Sequence, residues 1–259
     1  MKENMFMQLW KSLYSPKDIA RFRFQKIGKA IGYVFLLAFL SSLPLSYYMS
    51  VNLVDGIRYM KTLLENEIPS FNIENGKLAS SATQPITINE HGLTIVFDST
   101  GKVTTEEMER ATNAIGLLKH EAVIVTNGQT QTYDYAMFSN MTLTDADVRS
   151  FLGTVQSLLP VFIPLLFVFI YVFISASKFV GVSVLAFIGL ILRSTLDKNI
   201  SYRHTWVMSA YAITLSTVFF AVMETVQAAV PYAPFVHWFV SITVLFLAIK
   251  EIPSPTLKE

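Results

Sequence analysis

No cysteine occurs in the 259-residue chain. That excludes disulfides, thiolate nucleophiles and thiolate metal sites. Charge is scarce as well: Asp, Glu, Lys and Arg make up 15% of the residues, against about 25% in soluble domains. Also missing are a Walker loop, a G-x-S-x-G elbow, a Rossmann glycine pattern and an H-E-x-x-H pair. The common nucleotide, acyl-transfer, dinucleotide and zinc chemistries therefore leave no signature. The four histidines, His91, His120, His204 and His237, are scattered without metal-ligand spacing. No catalytic residue, metal, cofactor or nucleic-acid partner is expected. A large exported segment without disulfides suits a Gram-positive envelope.

What the chain has instead is apolar sequence. Hydrophobic residues reach 52%, the mean hydropathy is +0.45, and the charges are segregated between long uncharged stretches. This composition predicts a polytopic α-helical membrane protein. The net charge of +1 conceals an uneven distribution. Residues 1–29 hold Lys2, Lys11, Lys17, Arg21, Arg23, Lys26 and Lys29 against Glu3 and Asp18, whereas residues 55–149 hold thirteen acids and seven bases.

Ala30–Val54 is uncharged and long enough for a first crossing, with Pro44 expected to kink its far end. The long basic stretch before it and the apolar runs after it predict a retained anchor rather than a cleaved signal. Upstream, Phe6, Leu9 and Leu13 follow helical spacing and suggest a short helix lying in the interface. Ser15 as N-cap, Pro16 at N1 and Asp18 at N3 would start another helix, able to run on into the membrane; a merely basic, frayed N-terminus is the alternative.

Four segments follow from this reading: a basic cytoplasmic stretch (1–29), a first transmembrane helix (30–50), an extracytoplasmic α+β domain (51–150) and a C-terminal helix bundle (151–259). In the inserted domain, Asn75-Gly76 and Asn127-Gly128 lie between strand-like flanks and predict hairpins. ITINEHGLTIVFDSTG alternates apolar and polar residues and ends in a turn at Asp98–Gly101. TTEEMERATNAIGLLKH reads as a helix capped by Thr104 and Glu107, with Met108, Ala111, Ile115 and Leu118 on one face. Thr144 and Asp147 cap a helix that runs into the next apolar segment. Asn140-Met141-Thr142 matches a glycosylation sequon, without meaning in a Gram-positive setting.

Beyond the insert, Phe151–Ser177 and Phe179–Leu192 are uncharged and separated by Lys178; Thr205–Met223 and Phe235–Ile249 follow. Two arrangements fit. Five helices cross if Lys178 divides two spans, which puts Arg193, Lys198 and Arg203 outside. Four cross if 151–192 spans once, which puts all three inside, together with Lys250 and Lys258. Fourteen residues make about 21 Å of helix, short of a hydrocarbon core of about 30 Å. Length and the positive-inside bias both favour four, with the N-terminus cytoplasmic. Lys178 must then snorkel or sit at an interface.

Three stretches, WKSLYSPKDIARFRF, IVFDSTGKVTTEEME and KNISYRHTWVMSAYAITLSTVFF, resemble the domain of unknown function 1189 family of Gram-positive integral membrane proteins. One member of that family is associated with maltodextrin-utilisation operons. The basic gap and its Tyr-bearing helix are also similar to the wider Yip superfamily, where a proline often follows the tyrosine. Here Ser216 stands at about that place after Tyr211. The resemblance implies an uncharacterised membrane protein and supplies no catalytic residues.

Lys178, Glu224 and His237 are the candidate functional groups at or near the membrane, because burying ionisable side chains there is costly. Lys178 and Glu224 are expected towards opposite sides. Ser41, Ser42, Ala212 and Ser216 suit close helix packing, and Asp98 in FDSTG suits ordinary turn chemistry. The expected function is that of a non-enzymatic protein of the cell membrane. Its outer domain binds a partner or ligand, and its helices sit in the lipid bilayer beside a membrane-protein partner or transporter complex, such as a maltodextrin uptake system. A small transporter or permease-like protein is the alternative. An intramembrane hydrolase has only Ser175 and Ser177 beside Lys178 to suggest it.

Overall fold

A computed structural model of the chain describes residues 4–90, 92–138 and 142–253. His91, Lys258 and the first two sequon residues, Asn140 and Met141, lie outside the described residues. The fold divides into two compact units. Unit 1 takes the residues up to Val51 and from Val161 onward, and unit 2 takes Asn52–Pro160.

Unit 1 opens with two short helices. α1 (Met5–Tyr14) ends at Ser15, whose side chain accepts the Asp18 N–H and starts α2 (Pro16–Phe22). Of the two readings of the N-terminus, the helices form, but α2 does not run on: it stops at Phe22, and α3 (Ile27–Asn66) starts anew. On α1 the buried residues are the polar Gln8 and Ser12, while Phe6, Trp10 and Tyr14 are more than half exposed. The helix thus turns its polar stripe to the protein and its aromatic residues outward, as an interfacial helix does.

α3 passes through Pro44 and continues to Asn66, well beyond the uncharged run that ends at Val54. Arg58, Lys61 and Glu65 are sound helix formers, so loss of hydrophobicity does not end the helix. α5 (Asp145–Thr195) is one 51-residue helix. Phe151–Ser177 and Phe179–Leu192 are therefore not separate elements. A single lysine does not interrupt an i→i−4 ladder, and Pro160 and Pro164 remove donors without ending this one. α6 (Tyr202–Ala212) and α7 (Thr214–Thr225) form one 24-residue span, and α8 (Ala233–Lys250) completes the set. Among the described residues, four helices are long and apolar enough to cross a membrane. The four-helix reading holds and the five-helix alternative does not.

Unit 1 packs around Tyr33, Leu37, Leu185, Val207, Met208, Tyr211 and Leu245, each fully buried. Its outer surface is apolar: Val161, Leu165, Phe169, Phe173 and Phe187 on α5 are all more than half exposed.

Among the described residues, unit 2 holds two sheets. β1 (Phe71–Glu74) and β2 (Lys77–Ser80) form the Asn75-Gly76 hairpin, with both turn residues at positive φ as a type I′ turn requires. β8 (Leu143–Thr144) extends this sheet on the β1 side. The second sheet runs in strand order through β3 (Ile86–Glu90), β4 (Leu93–Phe97), β5 (Ala114–Leu117), β6 (Glu121–Thr126) and β7 (Gln129–Asp134). Its β4–β5 pair is parallel, and β6–β7 closes on Asn127-Gly128.

The expected helix over 104–120 is corrected. Only α4 (Thr105–Met108) is helical, started by the Thr104–Glu107 capping box. Ala114–Leu117 is a strand between β4 and β6. Asn113 accepts from Thr94 N–H through its carbonyl and from Asn127 N–H through its side chain, and Thr112 accepts from Gly128 N–H. These cross-chain bonds capture the backbone before a second helical turn forms. Successive β4 residues face opposite cores: Phe97 joins Leu64, Ile68, Phe71 and Leu78, while Val96 joins Met108, Ala114 and Val123.

Candidate functional site

Thr217, Phe220, Ala221 and Glu224 sit at i, i+3, i+4 and i+7 of α7, so they form one stripe. Ser41 and Leu45 of α3, Lys178 of α5, and Ala233, Pro234 and His237 of α8 close around that stripe to form a cavity of about 330 Å³. The Lys178 ammonium donates to Thr217 Oγ1 at 3.1 Å. Lys178 and His237 are half-buried, Thr217 is buried and Glu224 is exposed. A second cavity of about 250 Å³ shares Lys178 and His237 and reaches Trp238 and Ser241.

The three candidate residues therefore meet at one site. The expectation that Lys178 and Glu224 lie towards opposite sides is wrong, since both line the first cavity. α5 brings Lys178 alongside the last two turns of α7, and Glu224 is two turns from the hydroxyl that holds the lysine. Thr217 went unnoticed in the sequence, although its i+7 relation to Glu224 was a usable signal.

The topology-setting residues also assemble. Arg203 donates to the Gln25 carbonyl at 3.4 Å, Arg193 donates to the Ile200 carbonyl, and the His204 ring meets Phe24 edge-on at 5.8 Å. Ile19, Phe22, Ile200, Ile249 and Ile252 share one core. The ends of α2, α5, α6 and α8 that carry Arg21, Arg23, Arg193, Lys198, Arg203 and Lys250 thus lie at one end of unit 1. At the other end the Tyr48 hydroxyl donates to the Thr225 carbonyl at 2.6 Å, beside a 226–232 link without charge.

A buried polar network occupies the middle of the basic end. The Tyr211 hydroxyl lies 3.2 Å from the Gln8 amide and 3.0 Å from the Gln25 amide. The hydroxyl faces both amide oxygens and shares its one proton between them. Thr214 Oγ1 donates to the Tyr211 carbonyl at 2.6 Å and accepts from the Tyr33 hydroxyl at 2.7 Å. These bonds surround Ile213, where α6 gives way to α7 without a proline. Hydroxyls that bond backbone carbonyls one turn back weaken the ladder there. Ser216, noted in place of a proline, contributes by donating to the Ile213 carbonyl at 3.0 Å.

A protein-family model described as "Protein of unknown function (DUF1189)" matches residues 6–249. The chain belongs to that family. No curated protein and no solved structure matches it. The family match takes in every residue of the cavity and of the Tyr211 network.

In unit 2 of this family member, Asp98 is fully buried. It accepts from Thr100 N–H and Oγ1, Gly101 N–H and Val103 N–H at 2.6–3.2 Å. Burial alone would raise its carboxyl, but these donors outweigh it and hold the group below its ordinary value. The carboxylate is used up in its own turn. Among the described residues, no group of three His, Asp or Glu is placed to hold a metal ion.

Proposed function

We propose that the protein is a multi-pass, non-enzymatic component of the cell membrane, with its N-terminus cytoplasmic and unit 2 extracytoplasmic. Unit 2 binds a partner or ligand, and the helices assist another membrane complex, such as a maltodextrin uptake system. The observation that carries this reading is that unit 2 has hydrophobic cores of its own, a build suited to a recognition module. The gathering of arginines and lysines at one end of unit 1 supports the orientation.

Single cysteines in this cysteine-free chain test it. With a membrane-impermeant maleimide, Gln131→Cys should react in intact cells and Ser201→Cys only after lysis; the reverse pattern overturns the orientation. A photo-cross-linker at exposed Tyr133 or Met137 of the full chain should then capture a transporter subunit. A chain that cross-links to no membrane protein from any exposed position of unit 2 contradicts the accessory role.

The cavity lined by Lys178, Thr217, Glu224 and His237 favours a second reading, a small permease. Substrate flux in proteoliposomes that Glu224→Gln leaves unchanged would count against it.

A further inference from the structure

The cavity's depth follows from helix arithmetic. Counting from the basic end, Ser41 is about 21 Å along α3, Lys178 about 26 Å along α5, Thr217 about 23 Å along the α6–α7 span and His237 about 20 Å along α8, at 1.5 Å per residue. Four independent helices agree. The site lies most of one hydrocarbon thickness, about 30 Å, from the basic end and hence just inside the opposite boundary of the bilayer. Which leaflet that is depends on the orientation proposed above, but the chemistry of the site does not.

The walls are largely apolar, with Leu45, Phe220, Ala221, Ala233 and Pro234. Into them projects one ammonium. Its three donors need acceptors, and Thr217 Oγ1 takes one. Among the described residues that leaves two for an occupant. The ammonium is half-buried between these apolar walls, and a charge withdrawn from water in this way is stabilised by a paired counter-charge, so an anionic occupant would be favoured. A second negative charge on that occupant would face the Glu224 carboxylate at the exposed mouth.

We propose that this cavity binds an acyl amphiphile whose head carries a single negative charge, with the head on Lys178 and the chain along the apolar wall. A carboxylate (a fatty acid) and a phosphodiester (an anionic phospholipid) share this chemistry. The inference goes beyond the role assigned to unit 2, and its test reads neither topology nor partners.

Full-length protein in nonionic maltoside micelles is irradiated with three photoreactive probes: an oleate, a phosphatidylglycerol and an uncharged diacylglycerol. Adducts on 217–224 and 233–241 are counted by mass spectrometry. At least one anionic probe should exceed diacylglycerol by about tenfold, the scale of a charge-assisted hydrogen bond. The stronger of the two names the source. Lys178→Met should reduce that probe to the diacylglycerol level. Ala221→Trp, which fills the groove and keeps the charge, should lower all three. Equal labelling by all probes in the wild-type chain overturns the proposal, as does undiminished labelling in either variant.

Discussion

Asp98 illustrates how a fully buried carboxylate is spent on structure. All four donors around it come from the next five residues, so replacing it by Ala leaves buried N–H groups without acceptors. Asp98→Ala should cost about 2–3 kcal/mol, read as loss of amide-exchange protection in β4 and β5 of the full chain. The pH dependence has a definite sign. The folded carboxyl titrates below its ordinary value, so its contribution is complete above about pH 4 and fades as pH falls through the folded value. An Asp98→Asn variant should lack this acid-side loss. Tyr211 is a second case. Tyr211→Phe keeps the ring against Tyr33, whose centroid is 4.3 Å away, but removes the partner of the buried Gln8 amide and the half-buried Gln25 amide. About 1–2 kcal/mol should be lost, seen as a lower melting temperature in detergent and earlier proteolysis of α1 and α2.

At the scale of elements, α5 carries the topology. Lys178 sits in mid-helix, bonded to α7, where a divided reading would place it in a cytoplasmic turn. A cysteine at Ser177 should therefore resist an impermeant maleimide in inside-out vesicles, while Ser194→Cys should react in the same vesicles. Rapid labelling at 177 in the inside-out vesicles would restore two spans. Much of this level was legible in the sequence. Both Asn-Gly turns, the Ser15 cap and the Thr144 cap of α5 were readable because each rests on bonds within a few residues. β5 was not. Met108, Ala111, Ile115 and Leu118 fit a helical stripe as well as Ala114–Leu117 fits a strand, and what decides between them is distant backbone, namely β4 and the β6–β7 turn. The site was half legible. Charge in an apolar context marked Lys178, Glu224 and His237, but no local pattern says that three helices bring them to one cavity.

For the whole molecule, the relevant fact is that the two units have separate cores. The buried residues around Tyr211 all belong to unit 1, and those around Phe97 and Val96 all belong to unit 2. Local stability should follow this division, because opening free energies track cooperative units rather than chain order. Asp98→Ala and Tyr211→Phe are destabilised in different cores, so their effects should be separable and additive. In the full chain in detergent, Asp98→Ala should speed amide exchange in β4, β5 and β6 and leave the buried stretch Thr205–Ala212 unchanged. Tyr211→Phe should do the converse. The double variant should sum the two within about 0.5 kcal/mol. If Asp98→Ala loosened α6 as much as β4, the cores would be melting as one, and unit 2 could not act as a recognition module whose fold is independent of the helices that carry it.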